Sequence, residues 1–203
     1  IWAGMKELRP TFSAKGSKAQ EEELIDNVME LVRGLKANKA AMVENIMNSP
    51  NQGFRTYIAE LLSTNYSLED IRILGTHKIH TMRQAETGPL RMVNGLAAAS
   101  PAYGMLGTLM GLIVMLSNFD SAQGLASGLA VALMTTFYGL LLAQFIWQPL
   151  GKKLLSQTMF RQLRREVELE AVLLTMMSKP ELFIIDQLSS MVQARDGAST
   201  NNQ

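Results

Sequence analysis

The stretch that decides the fold is Met92–Gly151, which reads MVNGLAAASPAYGMLGTLMGLIVMLSNFDSAQGLASGLAVALMTTFYGLLLAQFIWQPLG. Its only charged side chain is Asp120, whereas the whole chain of 203 residues carries 19 Lys and Arg and 18 Asp and Glu. Asp120 separates two uncharged runs, Met92–Phe119 and Ser121–Gly151. About 20 helical residues cross a hydrocarbon core about 30 Å thick, so each run is long enough to span a membrane. The alternative is a buried helical hairpin of a soluble protein, although soluble cores seldom omit charge for so long.

The overall composition excludes several classes of protein. A net charge of +1 argues against a dedicated nucleic-acid binder, and the absence of cysteine excludes disulfides, thiolate metal sites and cysteine nucleophiles. His77 and His80 are the only histidines, and no carboxylate pattern completes a metal-ligand set around them. No catalytic triad, phosphate loop or dinucleotide fingerprint occurs. We therefore expect no enzyme, no metal site and no resident cofactor.

Charges on either side of the two runs predict their orientation. The segment around their junction, Ser117–Gln123, has no Lys or Arg, whereas Arg83 and Arg91 precede the runs and Lys152 and Lys153 follow them. Because basic residues favour the cytoplasmic side, the short loop is expected outside and both long flanks inside. The predicted divisions are a cytoplasmic helical domain (1–91), a span (92–119), an external loop (120–123), a span (124–151), and cytoplasmic helices with a disordered tail (152–203).

The flanking regions show helical periodicity throughout. The first flank begins with Ile1–Met5, which is too short to span and could end an earlier helix, and with a loop over Arg9–Lys18. Gly34 is a plausible helix stop, and Ser67 with Asp70 forms a variant of the capping box. In the first flank, predicted helices cover Gln20–Val32, Ala37–Met47, Phe54–Leu62 and Ser67 to about Glu86. After the second span, the helix is predicted to continue over Lys152–Met177. A last helix is predicted over Glu181–Val192, followed by a disordered tail from Ala194. The fold class is all-α: a polytopic membrane protein whose transmembrane helical hairpin carries a cytoplasmic helical domain and a long helix that extends into the cytoplasm.

Small and hydroxyl residues recur within the two spans. Gly107 and Gly111, and likewise Gly124 and Gly128, have the four-residue spacing that lets helices approach closely. Pro101 removes a backbone donor near the start of the first span. Thr108 lies on the same face as Pro101, and Thr135 and Thr136 lie in the middle of the second span. Their hydroxyls either bond back to their own helix or line a polar path, and neither span has an ionisable group in its core.

Two motifs in the spans are specific. Pro101–Leu112, PAYGMLGTLMGL, and Ala130–Gly139, AVALMTTFYG, resemble the third and fourth membrane spans of the flagellar stator A subunits in the MotA/TolQ/ExbB proton-channel family. Met115–Asn118 is similar to the sodium-type members. Glu23–Ile25 and Glu166–Glu170 are similar to the family's cytoplasmic segments.

This resemblance implies a larger assembly in the bacterial inner membrane. It implies two further N-terminal spans and five A subunits, a homopentamer, around two copies of a MotB- or PomB-like B subunit. The B subunit has a membrane Asp, which is the ion-carrying group that the spans of this chain lack. The ion would be H⁺ or Na⁺, with no other cofactor.

The resemblance also assigns roles to particular residues. The pore-side proline and threonines of the family correspond to Pro101, Thr108, Thr135 and Thr136. A charged cytoplasmic patch contacts the rotor protein FliG in this family through a basic residue followed eight positions later by Glu, a spacing that Lys36 and Glu44 have. The predicted rotor-contact residues are Arg33, Lys36, Lys39 and Glu44, and the predicted helix-packing residues are Gly107, Gly111 and Gly139.

Three functions remain open at this point. The first is a stator subunit that couples ion flow to torque. The second is a TolQ- or ExbB-like subunit that energises outer-membrane processes, which shares the layout of cytoplasmic domain, two spans and tail. The third is a purely structural membrane scaffold, which the missing charge would allow.

Overall fold

The structure, a computed structural model, describes residues 14–49, 53–64 and 66–200. All of the regular elements in these ranges are helices, and no strand occurs there. They are α1 (Ala14–Ala37), α2 (Lys39–Asn48), α3 (Gly53–Ser63), α4 (Leu68–Ser117), α5 (Ala122–Leu141), a π-helical turn (Leu142–Trp147), α6 (Gln148–Met176) and α7 (Glu181–Thr200). Two compact units result: a bundle unit of the described residues up to Thr81 and from Arg161 onward, and a hairpin unit of Met82–Phe160.

Apolar residues at helical spacing form the core of the bundle unit. Val28 and Val32 of α1, Val167 of α6 and Leu188 of α7 have no exposed surface. Such a stripe at positions i, i+3, i+4 and i+7 is what places one face of each helix in a core. Residues at helical spacing in the flanks are buried here: Leu24, Val28 and Leu31; Phe54, Ile58 and Leu61; Ile71 and Ile79; and Leu163, Val167 and Leu174. Ala41, Leu155 and Met159 follow the same spacing but are exposed.

The predicted helix stop at Gly34 is wrong, because α1 continues to Ala37. The glycine serves a close approach instead: a Cβ at Gly34 would lie 2.7 Å from the sulfur of Met42 on α2. The boundary is made by Asn38, whose side chain accepts a hydrogen bond of 3.1 Å from the backbone N–H of Ala41. An N-cap residue of this kind satisfies a donor that the first helical turn leaves unpaired.

Two further boundaries agree with the sequence. Ser67 Oγ accepts a 3.2 Å bond from the N–H of Asp70, and a carboxylate oxygen of Asp70 accepts a 3.1 Å bond from the N–H of Ser67. This reciprocal pair confirms the predicted capping box. The break near Lys179 is also confirmed, since α6 ends at Met176 and Ser178 adopts a left-handed φ of 55°.

Other local predictions differ or lie outside the described residues. The predicted loop over Arg9–Lys18 is helical from Ala14, and its earlier part is outside the description, as is Ile1–Met5. The last helix was expected to end near Val192 with a tail from Ala194, but α7 runs to Thr200. The final three residues of that tail are outside the description.

In the hairpin unit, α4 and α5 are antiparallel neighbours joined by the short turn at residues 118–121. The predicted helix end near Glu86 does not occur: α4 is a single helix of 50 residues that includes Pro89 and Pro101. A proline removes one backbone bond per site, and here the helix continues through both. At the turn, Ser121 Oγ accepts a 3.0 Å bond from the N–H of Gly124 and caps α5.

The long apolar helices suit a membrane by length and composition. Leu68–Ser117 and the continuous helical run Ala122–Met176 both contain an apolar window long enough to cross a bilayer. Only 11% and 17% of the residues in these two windows are buried by other parts of the chain. The apolar windows are therefore not packed in the core of a bundle formed by this chain alone. The run also confirms that the helix of the second apolar run continues into α6, although the π-helical turn within it was not predicted.

Replacement of Leu188 by Ala should lower the stability of the bundle unit. Leu188 is fully buried, and truncation of such a side chain typically costs about 2–5 kcal/mol. Leu182→Ala on the same helix is the matched control, since Leu182 is 71% exposed. Thermal unfolding of the purified protein in detergent, followed by circular dichroism, should show a clearly lower midpoint for Leu188→Ala only. Equal midpoints for the two variants would contradict the burial of this face of α7.

Candidate functional site

Glycines bring α4 and α5 into close contact in the hairpin unit. A Cβ at Gly107 would lie 2.5 Å from Cβ of Thr135, and one at Gly111 would lie 2.7 Å from the backbone nitrogen of Ala132. A Cβ at Gly139 would lie 2.8 Å from the carbonyl oxygen of Ser100. No side chain larger than hydrogen fits these places without a shift of its neighbours. The three glycines predicted to pack helices thus lie along one contact between the two helices.

Two further glycines lie on the same contact. Gly104 lies close enough to α5 that a Cβ there would be 3.0 Å from the carbonyl oxygen of Thr135. Nearer the turn, a Cβ at Gly128 would be 2.5 Å from Cβ of Met115. Gly104 was not predicted as a helix-packing residue, although its spacing of three residues from Gly107 could have indicated this role. Small residues therefore follow the seam over its full length, as membrane helix pairs favour.

The predicted ion-pathway threonines lie on both helices of this contact. Thr135 Oγ1 donates to the carbonyl oxygen of Ala132 at 2.9 Å, and Thr108 Oγ1 donates to that of Met105 at 2.6 Å. Thr136 Oγ1 makes the longest of these bonds, 3.5 Å to the same carbonyl of Ala132. Bonds back to the own helix satisfy a hydroxyl as donor and leave its oxygen lone pairs able to accept. Thr136 is thus the least strongly held of the three.

Pro101 lies in α4 next to the polar backbone of this contact. It is half-buried and follows Ser100, whose carbonyl oxygen faces Gly139 and whose hydroxyl donates to the carbonyl of Leu96 at 2.8 Å. Because proline has no N–H, the carbonyl of Ala97 lacks its usual helical partner. The residues of this site can offer oxygen atoms to a small cation or to water. Between Met92 and Gly151 the one charged residue, Asp120, lies in the turn, so the seam itself holds no ion-carrying group.

The predicted rotor-contact residues lie at the end of α1 and on α2. Arg33 pairs with Glu181 at 2.6 Å, with side chains 67% and 41% exposed, and Lys36 Nζ donates to the carbonyl oxygen of Lys179 at 2.8 Å. Lys39 and Glu44 are exposed on α2. Lys36 and Glu44 keep the eight-residue spacing of the family's rotor-contact motif, while Arg33 and Lys36 contact Glu181 and Lys179 at and just before the start of α7.

Sequence reasoning missed two sets of residues here. The first is Lys179 and Glu181, which were predicted only as part of a helix break and as the start of the last helix. The second is a buried ion pair between Arg55 on α3 and Glu168 on α6, at 2.7 Å. Glu168 lies among apolar residues at helical spacing, so the sequence did not mark it as part of an ion pair. Its partner Arg55 is too distant in sequence for the spacing of residues to predict the contact.

Metal-ligating groups are sparse in the described residues. His77 and His80 are both exposed on α4. No group of three or more His, Cys, Asp or Glu residues within residues 14–49, 53–64 and 66–200 could hold a metal ion.

Comparison with known proteins agrees with this architecture. The profile of the MotA/TolQ/ExbB proton channel family matches residues 40–167. "Motility protein A" of Treponema phagedenis is 30% identical over 160 residues, which are 78% of this chain and 61% of that protein. "Chemotaxis protein PomA" of Vibrio alginolyticus is 29% identical over 157 residues, 77% of this chain and 61% of that protein. The chain thus spans about three fifths of the length of these relatives.

Solved structures share the fold. The structure of C. jejuni MotAB matches with a TM-score of 0.76 at 22% identity, covering 94% of this chain and 74% of that chain. The flagellar MotAB stator complex from Bacillus subtilis matches with a TM-score of 0.68 at 21% identity, covering 98% of this chain and 84% of that chain.

Introduction of a side chain into the seam should weaken the hairpin. We expect Gly107→Val to cost about 1–3 kcal/mol, because the new atoms overlap Thr135 and the helices must separate. Gly95→Val is the control on the same helix, since nothing lies within 4 Å of a Cβ at Gly95. The thermal unfolding midpoint in detergent and the membrane level of each variant measure the effect. A Gly107→Val protein as stable as Gly95→Val would contradict the close contact.

Proposed function

The chain belongs to the MotA/TolQ/ExbB proton channel family, and from this premise we propose that it is the A subunit of a flagellar motor stator. In this proposal it couples a flow of H⁺ or Na⁺ to torque on the rotor, together with a B-type subunit. The observation that carries the proposal is the seam between α4 and α5, where glycines bring threonine hydroxyls into an otherwise uncharged pair of helices. Relatives named motility protein A and PomA support a motor rather than an outer-membrane energiser.

The proposed location is the bacterial inner membrane, with α4 and α5 crossing it. The turn at residues 118–121 would face outward, and the basic flanks around Arg83, Arg91, Lys152 and Lys153 would face the cytoplasm. Exposed apolar side chains on both helices, such as Met110 at 68% and Leu133 at 63%, support contact with lipid or with neighbouring subunits. The seam occupies one side of each helix and leaves these outer faces for a bilayer and for further copies, a homopentamer in the proposed assembly.

An ion path through uncharged helices requires a carrier from elsewhere. A bare ion in hydrocarbon is costly, and the seam supplies only hydroxyl and carbonyl oxygens. We propose that a membrane Asp of the B-type subunit takes up and releases the ion beside Thr108, Thr135 and Thr136. Thr oxygens can coordinate Na⁺, a hard cation that takes oxygen ligands, or accept hydrogen bonds from water that relays protons. Neutralising and recharging the Asp changes its cost of burial, and that change would drive one step of movement between the subunits.

In this proposal, exposed charged side chains of the bundle unit transmit torque to the rotor. Arg33, Lys36, Lys39 and Glu44 are proposed to contact the rotor protein FliG. The ion pair of Arg33 with Glu181 and the bond of Lys36 to Lys179 add the start of α7 to this surface. Charged side chains at a surface that repeatedly binds and releases a partner favour fast, steered association over tight binding.

Thr136→Val should reduce ion flux without reducing the amount of protein in the membrane. Valine has a nearly equal shape but no hydroxyl, and loss of one hydrogen bond to a charged group or its water is worth about tenfold in rate. Ser127→Ala is the control, because Ser127 is an exposed hydroxyl on the same helix that donates to the carbonyl of Gly124. Flux into liposomes that contain the complex with its B-type partner, and swimming speed in cells, are the measurements. Normal flux and torque in Thr136→Val would exclude the pathway role.

Lys39→Glu should impair motility and spare ion flux. Lys39 is exposed, so reversal of its charge leaves the core intact and acts on whatever the surface binds. The control is Arg161→Glu, an exposed charge reversal on α6 outside the proposed surface. We expect swimming to fall severalfold with Lys39→Glu at normal flux, as for a lost or reversed charge contact of about 1–2 kcal/mol. Equal swimming of the two variants would remove Lys39 from the rotor-contact surface.

A further inference from the structure

A buried carboxylate joins two distant helices of the bundle unit. Glu168 on α6 is 3% exposed, and its Oε1 accepts a 2.7 Å bond from Nε of Arg55 on α3. The same oxygen accepts a 3.1 Å bond from Nε of Arg164, one turn earlier on α6. The side chain of Arg55 is 15% exposed, whereas that of Arg164 is 49% exposed. The contact between helices is thus the buried one, and the contact within α6 reaches solvent.

This ion pair lies where four helices meet. Arg55 and Glu168 border a small cavity that is also lined by Leu35 of α1, Ile46 of α2 and Val172 of α6. Apart from the two charged side chains, the residues around the cavity are apolar. The ion pair is therefore the polar contact at the centre of an apolar junction of α1, α2, α3 and α6.

The two sides of the pair belong to different functional parts of the chain. Glu168 lies on the uninterrupted helical run Ala122–Met176, which also carries Thr135 and Thr136 of the proposed ion path. Arg55 lies on α3, which packs on α2, and α2 packs on α1. The proposed rotor-contact residues are on α1 and α2.

Stability alone does not account for such a pair. Removal of two charges from water costs free energy. Replacement of a buried ion pair by apolar residues of similar size often leaves the stability of the fold unchanged or raises it. Apolar contacts, however, are non-directional, and packed helices can shift past one another. A short arginine–carboxylate hydrogen bond is directional, and in some proteins such a buried pair sets the register of the helices that it joins.

We propose that the Arg55–Glu168 pair is the positioning contact that transmits movement of the ion-path helix to the rotor-contact helices. This inference rests on the proposed function. Under load, the pair holds α3 in register with α6, so that movement of the long helical run reaches α1 and α2 without slippage. Neither residue touches the ion or the rotor in this role.

The test replaces both charges by apolar residues of similar length. We expect the Arg55→Met/Glu168→Met variant to reach wild-type levels in the membrane and wild-type ion flux, since both members of the buried pair are replaced together. Its stall torque, measured on tethered cells, should fall to roughly half of the wild-type value or less, because apolar packing resists sliding less than a fixed ion pair. Arg164→Met, which removes the half-exposed partner of the same carboxylate, should keep its torque.

A second pair of variants tests the proposal if the double methionine variant does not accumulate in the membrane. Arg55→Glu/Glu168→Arg restores an ion pair with reversed polarity and should produce more torque than Arg55→Glu alone at equal membrane level. Wild-type torque in the double methionine variant, or equal torque in the swapped and single variants, would overturn the proposal. Loss of flux and torque together in the double methionine variant would also overturn it, because the pair would then act on the ion path itself.

The outcome is separable from that of the proposed function. If the unaltered chain with its B-type partner neither conducts ions nor supports motility, the stator function itself fails. If the unaltered chain does both and the double methionine variant matches it, only the positioning role of Arg55 and Glu168 fails.

Discussion

The contact between α4 and α5 is the constraint on which the rest of the proposed function depends. In hydrocarbon there is no hydrophobic gain when two apolar helices meet, so their association relies on close packing and backbone proximity. Glycines at 104, 107, 111, 128 and 139 provide that proximity. With larger residues the backbones would separate, and Thr135 would no longer lie against Gly107. The same contact leaves the outer faces apolar and exposed, which is what a subunit of a membrane assembly requires.

Polar groups are used in two different ways in the two units. In the hairpin unit, threonine hydroxyls donate to carbonyl oxygens of their own helix, and their oxygen lone pairs can still accept a bond. This arrangement suits the proposed transient binding of an ion or water. In the bundle unit, the buried carboxylate of Glu168 is held across two helices by Arg55, which suits the proposed mechanical contact. A pathway must release what it binds, whereas a coupling contact must hold under load. The different strengths of these interactions are consistent with the two roles proposed for them.

Much of the secondary structure could be predicted from local pattern. The capping box at Ser67 and the buried stripe through Val28 both follow from interactions between residues three or four apart. The long uncharged runs predicted two long apolar helices for the same reason, since hydropathy is additive along a helix. Prediction was wrong at Gly34 and near Glu86, where local signals for a helix end were overridden. At Gly34 the closeness of Met42 explains the glycine, and that neighbour is known only once α1 and α2 are packed.

The sequence by itself determined that the chain is helical, where its two apolar runs lie, and which charge is missing from them. These are properties of short windows, because hydrogen bonding and hydropathy within a helix depend on near neighbours. Only the tertiary structure decided that Gly107 meets Thr135, that Arg33 pairs with Glu181, and that Glu168 is held by Arg55. The partners in each of these contacts are far apart in the chain. Their pairing depends on how whole helices pack, a cooperative outcome that no local pattern of residues encodes.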